Sequence, residues 1–89
     1  MDTVEKLRQR IERERWHPLS IDSDGYTLEL HEVHALTEVG FVLWRKRDDG
    51  QIDLITSGHT FQGRLLGSQE EPLEMTTGTE ETIVELLER

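Results

Sequence analysis

The residues best suited to chemistry in this sequence lie in the segment His31-Glu32-Val33-His34. A helix that carries two His four positions apart brings both imidazoles to one zinc ion. These two His are three positions apart, in a segment with the alternation of a strand, which directs such residues to opposite faces. A bulge at Glu32 would return them to one face, where His17 or His59 could join them. The spacing favours surface histidines but leaves open a metal or small-ligand site.

Two acidic turns offer carboxylates for metal binding or catalysis. Asp22-Ser23-Asp24-Gly25 matches the first residues of a calcium loop, but its Gly stands at the fourth position rather than the sixth. Asp48-Asp49 lies beside the cations of Arg45-Lys46-Arg47. General acid–base catalysis needs a buried carboxylate pair whose pKa values are separated. Both acidic segments are therefore predicted to be hairpin turns.

Nucleophilic and cofactor-dependent chemistry has no support in the sequence. None of the serines has an adjacent base, there is no Cys, and the glycines lack the spacing of a phosphate-binding loop. We therefore expect a protein without catalytic residues, without a cofactor and without a bound metal.

Charge is distributed unevenly along the chain. The formal net charge is −9; residues 17–44 carry five acids and no Lys or Arg, and residues 68–89 carry seven acids and one Arg. Such a surface repels nucleic acid and anionic membranes and attracts basic proteins. Trp44 beside three cations is the one exception, and we expect Trp44 in the core, with Arg45 and Arg47 paired to Asp48, Asp49 or Asp53. Direct nucleic-acid binding is not expected.

Helices are predicted at both ends of the sequence. The first covers residues 3–15, with Asp2 and Glu5 as a capping box and Pro18 beyond its end. The second covers about 79–88, with Thr77 or Thr79 as its cap. Its apolar face consists of Ile83, Val84, Leu86 and Leu87, and its acidic face of Glu81, Glu85 and Glu88.

Between the helices, alternating apolar residues and turn signals predict strands. The alternation changes phase near Glu32, which predicts a bulge or bend there. The apolar run Phe41–Trp44 is predicted to be the central strand, and Asp48-Asp49-Gly50 the clearest hairpin turn. The remaining strands are expected at 19–21, 26–30, 52–55 (ended by Gly58) and 59–66, with a short edge strand at 73–75. Gly63 is interpreted as a bulge or as a site of close backbone approach.

This order of elements predicts one α+β domain over residues 1–89. The fold is an N-terminal helix, an antiparallel meander sheet of about five strands and a C-terminal helix, with both helices packed on one sheet face. The charged N-terminus, the absence of Cys and the lack of an apolar run near ~20 residues predict a soluble cytoplasmic protein that does not bind membranes.

The predicted function is non-enzymatic protein–protein binding, as a regulator, inhibitor, immunity protein or assembly subunit. The partner is expected to be another protein with a basic surface, and a homo-oligomer is possible. Three surfaces are candidates: the sheet face without helices, the hairpin with Arg45, Arg47, Asp48 and Asp49, and the helix face with Glu81, Glu85 and Glu88.

Two alternatives remain open at the level of sequence. A row of carboxylates on a helix can imitate DNA phosphates, so the protein could inhibit an enzyme that binds DNA or RNA. The third hypothesis is a small-ligand or metal-binding domain built from His17, His31, His34 and His59.

Overall fold

Two helices pack on one face of a five-stranded antiparallel sheet in the computed structural model, which describes residues 2–89. The strands follow one another in space in chain order, so each pairs with its sequence neighbour. The predicted α+β meander is therefore confirmed, with β3 at its centre. The elements are α1 (Thr3–Arg13), β1 (Leu19–Ser23), β2 (Tyr26–Val33), β3 (Glu38–Lys46), β4 (Ile52–Phe61), β5 (Arg64–Leu66) and α2 (Thr77–Leu87).

The tight turns of the sheet follow from residues that tolerate positive φ. Asp24 and Gly25 have φ values of 54° and 82°, as a two-residue hairpin loop requires. Asp48-Asp49-Gly50 closes the β3–β4 hairpin, where the Arg47 amide donates to the Gln51 carbonyl at 2.7 Å. Both turns were predicted. The third turn, at Gln62-Gly63, was not predicted, because Gln-Gly is a weaker turn signal than Asp-Gly.

The predicted divisions of the last strands are wrong. Residues 59–66 form a hairpin rather than one strand, and Gly58 lies within β4 instead of ending it. A Cβ at Gly58 would approach the Leu66 carbonyl oxygen to 2.6 Å and the Leu73 side chain to 2.8 Å. The glycine therefore permits a close backbone approach. The expected edge strand at 73–75 is reduced to a single bridge between Leu66 and Pro72.

The bulge of the sheet lies in β4 and not near Glu32. Pairing of β2 with β3 runs without interruption to Val33 and Glu38. In contrast, Leu43 pairs with Thr56 and Trp44 with Leu54, so Ile55 is the extra residue. The change of phase after His31 instead reflects the end of β2, where residues 34–36 all take positive φ.

The helix caps match the prediction at one end of the chain only. The Asp2 carboxylate accepts the Glu5 amide at 2.8 Å, as predicted, although α1 ends at Arg13 rather than at residue 15. The cap of α2 is Thr76, whose hydroxyl accepts the Thr79 amide at 3.2 Å. Thr77 and Thr79 were both wrong as caps, because three neighbouring Thr give equivalent signals and the backbone selects the first.

The core lies between the inner sheet face and the helices. Both helices approach this face, α1 over β2 and β3 and α2 over β1. Arg10 joins the helices, since its guanidinium donates to the carbonyls of Leu87 and Arg89 at 3.0 and 2.5 Å. These carbonyls at the end of α2 lack helical partners. The main buried apolar residues are Leu7, Ile11, Ile21, Leu28, Leu30, Val39, Phe41, Leu43, Ile83, Leu86 and Leu87.

Glu38 is the buried acid that ties three segments together. Its carboxylate accepts the Thr60 hydroxyl at 2.9 Å and the Gln62 amide at 3.0 Å, and it lies 3.7 Å from the Arg8 guanidinium. Arg8 also donates to the Thr37 carbonyl. Charge-assisted hydrogen bonds of this kind are the strong ones, so Glu38 fixes α1 against the β2–β3 turn and the β4–β5 turn.

Trp44 does not belong to the core, which corrects the sequence prediction. Along β3, Phe41 and Leu43 are buried beneath the helices, so strand alternation directs Val42 and Trp44 to the opposite face. Trp44 is half-buried there. The apolar run Phe41–Trp44 thus supplies both faces of the sheet, of which the helices cover one.

Candidate interaction surface

The face of the sheet opposite the helices, called the outer face below, is built by cross-strand rows. Trp44 lies between Thr27 and Leu54, and Lys46 lies beside Ile52. Further along β3, Val42 lies between Glu29 and Ser57. The apolar side chains therefore gather on β3 and β4, whereas the β1 and β2 part of the outer face is polar.

Four residues form the outer-face cluster: Trp44, Ile52, Leu54 and Ile55. Ile52, Leu54 and Ile55 are 64%, 54% and 40% exposed. Single exposed apolar residues are ordinary, but a contiguous group rimmed by polar residues marks an interaction surface. The bulge matters here because two residues of β4, Leu54 and Ile55, lie opposite the single residue Trp44, with Leu54 as its paired partner.

Trp44 carries a buried polar atom next to a shallow depression in the outer face. The indole Nε1–H is buried and has no acceptor among residues 2–89. Leaving a buried donor unpaired costs about 1–3 kcal/mol. Beside the ring lies a shallow depression of about 410 Å³, lined by Thr27, Glu29, Trp44, Lys46 and Ile52.

The rim of the outer-face cluster is charged but locally balanced. Arg47 pairs with Asp49 at 2.8 Å and with Asp53 at 3.7 Å, as expected for Arg47. Arg45 instead lies over the Tyr26 ring, 5.7 Å from its centroid, and within the described chain it has no ion pair. Asp48 is exposed at the tip of the hairpin. Residues 45–53 carry three basic and three acidic side chains, in contrast to the net charge of −9 for the chain.

Part of the edge of β4 carries no neighbouring strand. β5 pairs only with residues 59–61, so residues 52–57 form a free edge in the part of the chain that the structure describes. This edge contains the bulge at Ile55 and the charged Asp53. Bulges and charges on edge strands are the usual protection against pairing with another strand.

The acidic row predicted on α2 is smaller than expected. Glu81 and Glu85 are exposed and form no salt bridge with any other described residue. Glu88 pairs with Lys6 at 2.7 Å, so its charge is partly neutralised. Two unpaired carboxylates remain of the row of three among residues 2–89, and beyond their charge no contact within that range favours a phosphate-mimicking surface.

The histidines are separated into smaller groups. The His31 imidazole lies over Gly40, where a Cβ would overlap it. The rings of His34 and His59 have centroids 6.2 Å apart, and His59 Nε2 lies 3.5 Å from the Glu70 carboxylate. His17 is exposed in the connection between α1 and β1. Within residues 2–89 no three His, Cys, Asp or Glu side chains are grouped so that they could hold a metal ion.

Comparisons with protein-family models, curated proteins and solved structures find no match to this chain. Of the helices over residues 2–89, neither has the length and apolar character needed to cross a membrane.

Sequence reasoning found the hairpin and the α2 acids but missed Ile52, Leu54 and Ile55 as surface residues. They were interpreted only as the strand that follows the Asp48-Asp49-Gly50 turn. The sequence did contain a signal for them. Two short helices can cover only one face of a sheet, so apolar residues on both faces of β3 and β4 imply that those on one face are exposed.

Proposed function

We propose that this protein is a non-enzymatic domain that acts by binding protein, with the outer-face cluster as its contact surface. The observation that carries the proposal is the group of exposed Ile52, Leu54 and Ile55 around the half-buried Trp44. Burial of apolar surface is the main favourable term in protein association. Aromatic residues within such a surface are the ones most often dominant in binding energy.

The acidic surface supports a second part of the proposal, which is that a different protein bound by this chain has a basic surface. Glu81 and Glu85 project from α2 without basic partners among the described residues. Long-range attraction from the net charge of −9 accelerates encounter with basic proteins and falls as salt screens it. We therefore propose that the partner is a basic protein. We also propose that the two proteins meet in the cytoplasm, where disulfides are rare and a protein without Cys loses no stability.

Affinity capture with matched variants tests the proposal. The baits are the wild type, Leu54→Glu and Leu36→Glu. Leu36 is 50% exposed, close to the 54% of Leu54, but it lies in the β2–β3 turn and outside the outer-face cluster. Both variants add the same charge, so the comparison isolates position.

Proteins retained by the wild type and by Leu36→Glu, and lost with Leu54→Glu, are the expected result. A Glu81→Gln/Glu85→Gln bait should in addition lose basic proteins at low salt. Equal capture by the Leu54 and Leu36 variants would contradict the assignment of the outer-face cluster as the contact surface.

A further inference from the structure

We propose that the outer-face cluster is the contact between two copies of this chain, which pack outer face to outer face as a two-fold dimer. The inference rests on the proposed function, because it names the partner of the same surface. The product is a sandwich of two sheets about 10 Å apart, with the helices of both copies on the outside.

The free edge of β4 does not explain the exposed apolar residues. A strand added at this edge would meet the bulge at Ile55 and the charge of Asp53. A partner that extends the sheet would also leave Trp44 and Leu54 exposed, because these side chains point away from the sheet plane rather than along its edge. Only a partner seated on the face covers them.

The size of the outer face agrees with a stable dimer. The five strands contain 35 residues. Each occupies about 16 Å² of sheet, from a strand spacing of ~4.8 Å and a rise of ~3.3 Å, so the flat footprint is roughly 550 Å². This flat footprint, to which protruding side chains add accessible area, is about two thirds of the ~800 Å² per partner of a standard interface.

A two-fold operation pairs opposite charges at one place on the outer face and like charges at another. Glu29 and Lys46 lie on this face on opposite sides of the row that contains Trp44. A two-fold axis between the sheets, running across the strands at the level of Trp44, brings Lys46 of each copy beside Glu29 of the other, an attractive contact that an isologous interface repeats twice. The same axis places Asp22, which lies in the row of Thr27 and Trp44, opposite Asp22 of the other copy. The dimer therefore also contains one like-charge contact, which salt screens.

The distribution of the remaining charge favours this face over other contacts between copies. Residues 45–53 are neutral in sum, and β1 and β2 add Asp22 and Glu29 to the outer face, so most of the acid excess of −9 lies away from this face. Glu81 and Glu85 are on α2, in the helical layer on the inner face. They point away from the proposed interface and stay available to a basic partner.

Salt dependence separates a second copy from a basic partner. Two molecules of charge −9 repel at long range, and added salt screens this repulsion. The apolar contact itself does not weaken with salt. Dimerisation is therefore expected to tighten as NaCl rises, whereas a complex with a basic protein weakens.

Sedimentation equilibrium over a range of concentrations tests the dimer. The samples are the wild type, Leu54→Glu, Leu54→Thr and the control Leu36→Glu, each in low and high NaCl. The wild type and the control should reach twice the monomer mass of 10.4 kDa, with a lower Kd in high salt. Leu54→Glu should raise Kd by about 100-fold or more, because the substitution acts twice in a symmetric interface.

Leu54→Thr keeps the strand propensity of the position and adds no charge, so it guards against misfolding as the cause of a lost dimer. It should raise Kd with an unchanged circular dichroism spectrum. A wild type that stays monomeric at all concentrations, or a dimer that both Leu54 variants leave intact, would overturn the inference. If the wild type is monomeric and Leu54→Glu still abolishes affinity capture, the proposed function stands and the second copy is wrong.

Discussion

At the residue scale, Trp44 has a structural contribution to the sheet in addition to its proposed part in the contact surface. Its indole is partly exposed on the outer face, while Nε1–H is buried and has no acceptor within the described residues. The apolar ring contributes to stability through its burial, and the polar atom subtracts from it.

Replacement of Trp44 separates these two contributions. Trp44→Phe keeps most of the ring and removes the unpaired donor, so the free energy of unfolding should stay the same or rise by up to about 1 kcal/mol. Trp44→Ala should lower it by somewhat less than the ~3–5 kcal/mol typical of a fully buried aromatic, because Trp44 is partly exposed. Urea denaturation measures both. A loss of 3 kcal/mol or more in Trp44→Phe would mean that the indole N–H has a partner.

Glu38 is the residue whose loss the fold should tolerate least among the acids. Glu38→Ala removes the acceptor of the Thr60 hydroxyl and the Gln62 amide, and we expect a loss of about 2–4 kcal/mol. The matched control is Glu32→Ala, an exposed acid on β2, which should change stability by no more than about 0.5 kcal/mol. Equal melting temperatures for the two variants would contradict the anchoring role of Glu38.

At the scale of elements, local patterns predicted the strands and helices well because each reports its own periodicity. The hairpins at Asp24-Gly25 and Asp48–Gly50 were evident because their φ values require these residue types. The sequence did not show which of Thr76, Thr77 and Thr79 caps α2, or which face of the sheet Trp44 occupies. Both depend on how the helices seat against the sheet, which no local window contains.

The cap of α2 gives a direct test at this scale. Thr76→Ala should lower the free energy of unfolding by about 1 kcal/mol, because the Thr79 amide loses its acceptor. Thr77→Ala, one residue later and exposed, is the control and should have little effect. Thermal unfolding of the two variants provides the comparison; the reverse order would place the start of α2 one residue later.

The acidic face of α2 should be neutral or unfavourable for stability. Glu81 and Glu85 are one turn apart with like charge, and neither has a salt bridge within residues 2–89. Glu81→Gln/Glu85→Gln therefore should keep or slightly raise the melting temperature, by a few tenths of a kcal/mol in free energy. Glu88→Gln is the comparison variant, because this substitution removes the salt bridge between Glu88 and Lys6. A marked loss of stability in the double variant would indicate a structural role for these acids.

At the scale of the whole molecule, the two faces of the sheet differ in charge and in exposed apolar residues, whereas the composition gives only an average over the chain. The inner face and both helices form the core and carry the free acids of α2. The outer face carries the exposed apolar residues, with balanced charge at their rim. The sequence named the uncovered face as a candidate but could not identify its residues, because this requires the register of β4 and its bulge.

Distance measurement between spin labels tests the face-to-face dimer most directly. The chain has no Cys, so one introduced Cys carries one label per copy. Ser20→Cys places the label on the outer face at the far edge from β4, and Glu85→Cys places it on α2. With sheets ~10 Å apart and a helical layer of ~10 Å on each side, the Ser20 labels should lie about 20 Å apart and the Glu85 labels about 40 Å or more. A shorter distance for Glu85 than for Ser20 would contradict the outer face as the contact surface.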